Sequence, residues 1–256
     1  MEKKKSKFAL KKAELTYIYG VHAVKEVLRK RPDVVSVVYI RDSLLADPKL
    51  RAQANRAGSL LPLDERRLPE GIPHDAVHQG MIAGIAMDKL LVEYKTFKEN
   101  LSPTPDTAVV VLGEVQDPHN VGAIIRSAAA FGISAILIPE HRQAPVTGTV
   151  IKVSAGMAFS VPLVSIGNVN TALRDLKNRG FWVYGLDSKG TVSLTEEKFD
   201  RPSVFVVGNE GTGMREKTRE VCDTVLTIPM HPRAESLNAS VSAAVVFYAW
   251  NTAIRQ

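Results

Sequence analysis

The chain has 256 residues, 45% of them hydrophobic, enough for one large or two medium cores. Its apolar runs are strand-length, far short of the roughly 20 residues a membrane helix needs, so no membrane partner is expected. The formal charge of +6 is uneven: residues 1–12 hold six lysines against one glutamate, which is +5, leaving about +1 for everything else.

The single cysteine, Cys222, excludes an intramolecular disulfide and suits a reducing compartment. No apolar segment follows the Lys-rich start in the manner of a secretory signal, so a cytoplasmic location is expected. Residues 1–13 read as a basic disordered tail, either a solvated extension or a salt-sensitive contact for phosphate backbones. With so little charge outside the tail, any nucleic-acid site must be a local patch.

Residues 14–88 alternate helix and strand signals. GVHAVKEVLRK reads as a helix, VVSVVYI as a buried strand, LLADPKLRAQANRAG as a second helix and MIAGIAM as another strand. The stretch EYKTFKENLSPTPDT then loses periodicity and gathers Ser, Pro, Thr and Asp, which places a linker at 89–107 and a domain boundary within it. From 108 onward AVVVLGEV, AILIP, VPLVSI, FWVYGLD, SVFVVGNE and TVLTIPM are short Val/Ile-rich runs without alternation. Strands covered on both faces read this way, which points to a mostly parallel sheet in an α/β domain spanning 108–256. Helices fall between the strands, NTALRDLKNRG being the clearest, and SVSAAVVFYAWNTAIR closes the chain.

Open α/β sheets bind ligands beyond the carboxyl ends of their strands. Three such ends carry glycines and isolated polar residues: QDPHNVGAIIR, GNEGTGM and PMHPRAESLN. Each has an ordinary reading. Asn120 caps a helix, GNEGTGM is a glycine-rich turn, and Ser236 and Asn238 cap the last helix. GNEGTGM lacks both the Lys-Ser/Thr of a P-loop and the spacing of a dinucleotide fingerprint, which disfavours an oxidoreductase. Arg126 is harder to dismiss. Its helical neighbours are Gly122, Ala123, Ala129 and Ala130, and a cation among small residues needs a partner, for which Glu210 is the expected candidate.

The three segments in order, N-x-G-x-I-x-R-x-A-x-x-F-G, V-x-G-N-E-G-x-G-M, and I-P-M followed by S-L-N-x-S-V-x-A-A, resemble the motifs of the SpoU/TrmH branch of the SPOUT RNA methyltransferases. RQAPVTGTVIKVSAGMAFSVPLV, with Lys152 and Ser154-Ala155-Gly156, is similar to that family's intervening segment. The resemblance implies a trefoil-knotted domain, a homodimer, S-adenosylmethionine as cofactor without a metal, and methylation of a ribose 2′-hydroxyl. It implies a catalytic set of Asn120, Arg126, Glu210, Ser236 and Asn238. The cofactor would be held by Gly208, Asn209, Gly213, Ile228, Met230 and Leu237, with glycines where backbone must approach adenosine.

YGVHAVKEVL and VHQGMIAGI are similar to the ribosomal-protein-like auxiliary domain of family members that act on large-subunit (23S-type) ribosomal RNA, with a guanosine as target. Tyr17, Tyr19 and His22 there read first as packing residues and second as RNA contacts. The alternatives are a tRNA-modifying or antibiotic-resistance relative, and an inactive RNA-binding assembly factor, which would have no reason to keep all five catalytic positions.

Overall fold

The computed structural model describes residues 15–255 except Glu210 and Thr212, so the expected basic tail lies outside the described residues. The first domain comprises β1 (Leu15–Tyr19), α1 (Val21–Lys30), β2 (Val35–Ile40), α2 (Pro48–Ala57), β3 (Ser59–Pro62) and β4 (Met81–Ala86), with sheet order β1-β4-β2-β3. β4 pairs antiparallel with β1 and β2, and β2 pairs parallel with β3. Val24, Val27 and Leu28 of α1 and Leu50 and Ala54 of α2 are buried against the sheet, following helical spacing. Asp47 caps α2 by accepting from the amides of Lys49 and Leu50, and Pro48 occupies the first turn.

α3 (Met87–Leu90) leads into the second sheet through β5 (Leu91–Glu93) and α4 (Tyr94–Glu99). Part of the stretch expected to be a linker is therefore structured. β5 pairs with a strand of the second sheet, and Tyr94, Phe97 and Leu101 pack into its core. The Tyr94 hydroxyl donates to Asp175 at 2.8 Å. Tyr94 and Phe97 lie at i and i+3 on α4 and Leu101 follows just after it, a pattern that the Ser-Pro-Thr-Pro composition downstream obscured.

The strands and helices that follow are β6 (Ala108–Leu112), α5 (Pro118–Ala130), β7 (Ala135–Pro139), α6 (Gly148–Val153), β8 (Leu163–Ile166), α7 (Val169–Asn178), β9 (Trp182–Leu186), β10 (Val192–Ser193), β11 (Ser203–Val207), α8 (Glu216–Arg219), β12 (Thr224–Thr227) and α9 (Ala239–Ala253). With β5 they make an eight-stranded sheet of order β10-β12-β9-β11-β6-β7-β8-β5, in which every pairing is parallel. β6, β7 and β11 are buried at every position, as their unbroken apolar runs require.

One face of this sheet, with Val110, Leu112, Ile136 and Phe205, packs under α5, α6 and α9. The other, with Val109, Val111, Leu137 and Val206, packs under α4 and α7. Phe205 lies at the centre of an aromatic cluster, 5.7 Å from Tyr184, 5.8 Å from Phe199, 5.9 Å from Phe247 and 6.4 Å from Trp250 between ring centroids.

The small residues of α5 have a packing reason. A Cβ on Gly122 would stand 2.7 Å from Cβ of Val153, so glycine lets α5 and α6 close together. Ser154 is buried, donates to the Ile151 carbonyl at 2.8 Å and ends α6, which leaves Ser154-Ala155-Gly156 a turn motif. The first domain docks here. The Lys152 ammonium lies 5.2 Å from the Tyr19 ring centroid, while Tyr17 lies against Tyr39 and His22 is exposed.

Cys222 sits beneath the sheet beside Met214, and burial, helped by Asp223, pushes its thiol up to about 12. An unfolded chain releases this proton near 9.0, whereas the native state keeps it. The sign follows: stability is unaffected below about pH 9 and falls as pH rises from there towards 12. Burial raises the phenols of Tyr184 and Tyr94 in the same direction. The denaturant midpoint should therefore drop between pH 8.5 and 10.5, and alkylation of Cys222 in the native protein should be much slower than in urea. Equal alkylation rates would refute this placement.

Candidate functional site

A cavity of about 670 Å³ opens beyond the carboxyl ends of β9, β11 and β12, against the start of α9. Gly208, Asn209, Gly213, Ile228, Met230 and Leu237, all expected as cofactor contacts, line it together, and so does Ser236. The loop after β11 is closed by its own backbone. Asn209 and Gly213 exchange two amide-to-carbonyl hydrogen bonds at 3.0 Å, with Gly213 at a φ of 68°. The Asn209 side chain accepts from the Gly211 amide at 2.9 Å and donates to the Glu114 carbonyl at 2.9 Å. This ties the glycine loop to the loop after β6. Glu210, expected in the catalytic set, lies outside the described residues.

Two of the expected catalytic residues meet directly. The Asn238 amide donates to Asn120 Oδ1 at 3.0 Å, joining the start of α9 to the start of α5. Asn238 also caps α9, accepting from the Ser240 amide at 2.8 Å and the Ser240 hydroxyl at 2.6 Å. Its ordinary reading as a cap holds, and the same side chain joins the two helix starts. Asn120 is buried and is not a cap; Asp117 performs that role for α5, accepting from the His119 amide at 2.8 Å.

Arg126 corrects the expectation of a buried cation. It is exposed, it makes no hydrogen bond or ion pair with another described residue, and it does not line the cavity of its own chain. It lies one turn beyond Gly122 on the same side of α5 and roughly 120° around the helix from the buried Asn120.

The cavity also holds residues that the sequence reading passed over. Asp187, Ser188 and Lys189 follow β9, and Arg219 of α8 pairs with Asp187 at 2.5 Å. The signal was present, since FWVYGLD is a fourth strand whose carboxyl end carries a charged residue. In size the cavity suits a nucleoside-bearing ligand. Leu186, Leu226, Ile228 and Met230 give it apolar walls, and the loop backbones give it polar edges. Among the described residues no cluster of three or more His, Cys, Asp or Glu is placed to hold a metal, and no helix is long and apolar enough to cross a membrane.

A family model described as SpoU rRNA Methylase family matches residues 107–248. The chain belongs to this family. A second model, RNA 2'-O ribose methyltransferase substrate binding, matches residues 17–91, which is the first domain of this SpoU methylase. Relatives include the 23S rRNA (guanosine-2'-O-)-methyltransferase RlmB of Vibrio parahaemolyticus, 36% identical over 94% of this chain and 96% of that protein. The protein of the same name from Neisseria meningitidis is 37% identical over 90% of this chain and 92% of its own. Among solved structures, the SpoU methyltransferase AviRb from Streptomyces viridochromogenes, in complex with the cofactor AdoMet, covers 93% of this SpoU methylase and 89% of its own chain. It superposes with a TM-score of 0.75 at 21% identity, a likeness of fold.

Proposed function

We propose that this chain methylates the 2′-oxygen of a guanosine ribose in 23S ribosomal RNA, using S-adenosylmethionine. The observation that carries this reading is the convergence of the three motif loops, two of them around one nucleoside-sized cavity and the third tied to them through Asn120–Asn238 and Asn209–Glu114, in a chain that carries a substrate-binding domain. The relatives named for 23S rRNA guanosine methylation support the substrate.

When bound, S-adenosylmethionine supplies an electrophilic methyl group on sulfur. The chain's own residues do the rest. Backbone at Gly208 and Gly213, with Ile228, Met230 and Leu237, would hold the adenosine. Ser236 and Asn238 stand on the same loop as Leu237, at the rim where a ribose would enter. Glu210 belongs to the same set. Arg126 would hold an RNA phosphate and stabilise the 2′-oxygen as its proton passes to water. Incubation with labelled S-adenosylmethionine and separate rRNA and tRNA pools tests this: label enters rRNA as a base-resistant 2′-O-methyl dinucleotide. Label confined to tRNA would overturn the substrate, and none in either pool the activity.

The reading includes a cytoplasmic homodimer with a trefoil knot, in which the chain after β11 threads a loop before α9 packs on α5. α9 supports the dimer. Ala243, Val246, Phe247 and Trp250 face the core, whereas Val241 is 46% and Tyr248 60% exposed, with Ala244, Val245 and Thr252 completing that outer stripe. Tyr248→Glu is expected to leave the monomer's fold intact, because the side chain is exposed, and to turn a micromolar dimer into a monomer in sedimentation. A wild-type monomer at that concentration would defeat the dimer.

A further inference from the structure

Met214 forms a wall shared by two cavities. One is the cavity described above. The other, of about 400 Å³, lies beyond the carboxyl ends of β6, β7 and β8 and is closed by the loop after β11. It is a second crevice at strand ends, where open α/β sheets take ligands.

Its lining divides into three kinds of surface. Pro139, Val169 and Met214 make an apolar wall. Asn168 spends its carbonyl on the cap of α7, accepting from the Thr171 amide at 2.9 Å, which leaves its amide hydrogens to donate. His141 and Arg142 make the polar edge; both are exposed and neither makes a hydrogen bond or ion pair with another described residue. Arg215, the third basic residue, is already matched, since its guanidinium meets the Glu114 carboxylate at 2.8 Å. The net charge left over is therefore that of Arg142, with His141 beside it. An apolar face, a neutral donor and an unmatched cation correspond to the base, the base edge and the phosphate of a nucleotide.

We propose that this cavity holds a nucleotide of the substrate RNA next to the target, its phosphate on Arg142 and His141 and its base against Met214 and Pro139. This rests on the RNA methyltransferase reading and deepens it. A single-stranded segment laid along the carboxyl edge of the sheet would place one nucleotide here and offer the neighbouring ribose to the first cavity across Met214. The two cavities are also mechanically joined. Glu114, which pairs with Arg215 here, accepts through its carbonyl from Asn209, which lines the cofactor cavity.

The test uses the full-length protein, labelled S-adenosylmethionine and an rRNA transcript, with wild-type turnover as the control that the underlying reading holds. His141→Ala/Arg142→Ala is compared with wild type and Arg142→Lys. The double variant should raise KM for RNA about tenfold, leave kcat at saturating RNA and the cofactor Kd unchanged, and flatten the dependence of RNA affinity on salt by about one unit of slope. Arg142→Lys should recover most of the KM, since a phosphate accepts a point charge. Unchanged KM and salt slope in the double variant would overturn the proposal. So would a KM loss accompanied by equal losses in cofactor affinity and melting temperature, which marks a structural role. Guanosine monophosphate is titrated in parallel. Inhibition that is competitive with RNA and abolished in the double variant supports the proposal; tight binding without effect on RNA affinity makes the cavity a free-nucleotide site and overturns it.

Discussion

Replacing Arg126 with alanine is expected to leave the protein folded and the cofactor bound while methyl transfer to rRNA falls by about two orders of magnitude or more. The fold has little to lose. Arg126 is exposed, without a hydrogen bond or ion pair to another described residue, and truncating such a side chain changes stability by about 0.5 kcal/mol or less. The cofactor has little to lose either, since Arg126 does not line the cavity. What disappears is a guanidinium held ready for RNA. On the proposed reading its work is electrostatic: gripping a phosphate and stabilising the developing oxyanion. Arg126→Lys should rescue little, because lysine keeps the charge but loses the planar fork that holds two oxygens at once. Near-normal turnover by a folded alanine variant would refute this role.

The second large effect concerns a single methyl group. Gly208→Ala should weaken cofactor binding at least tenfold, about 1.4 kcal/mol, while Gly211→Ala in the same loop should change it by less than twofold. A Cβ at Gly208 would stand 2.7 Å from the Gly213 carbonyl carbon and 2.8 Å from the Met214 nitrogen. Both are backbone atoms in a loop already pinned by the paired Asn209–Gly213 hydrogen bonds, so the loop must open to admit it. At Gly211 the nearest atom to a built Cβ is Asn209 Oδ1 at 3.6 Å, an ordinary contact. Calorimetric titration of both variants with S-adenosylmethionine decides the matter. Equal affinities would mean that the closed loop is not what shapes the cavity.

Much of this was legible in the sequence, for identifiable reasons. Unbroken Val/Ile runs announced a parallel sheet because strands buried on both faces have no polar positions to alternate. Strand ends carrying glycine and lone polar residues announced the cavity. Composition failed where geometry decides. The smallness of α5 was read as surrounding Arg126, whereas the close approach it permits is at Gly122, one turn earlier in the helix. α9 is apolar nearly all round, so only its packing separates the buried Phe247 from the exposed Tyr248. Tyr94, Phe97 and Leu101 were hidden by the prolines that follow them. Asp187 went unnoticed because it ends a strand whose loop has no glycine-rich signature before Gly190.

The strand order has a consequence for how the protein is made. β11 fills the slot between β6 and β9, yet 90 residues separate the end of β6 at Leu112 from the start of β11 at Ser203. A ribosome adding about 5–20 residues per second needs roughly 5–18 seconds to cross that gap. Throughout it, one edge of β6, five buried residues without a charge, waits unpaired in the nascent chain, a template for the wrong strand. The sheet's centre is thus completed late in synthesis, and that edge stays open until Phe205 arrives.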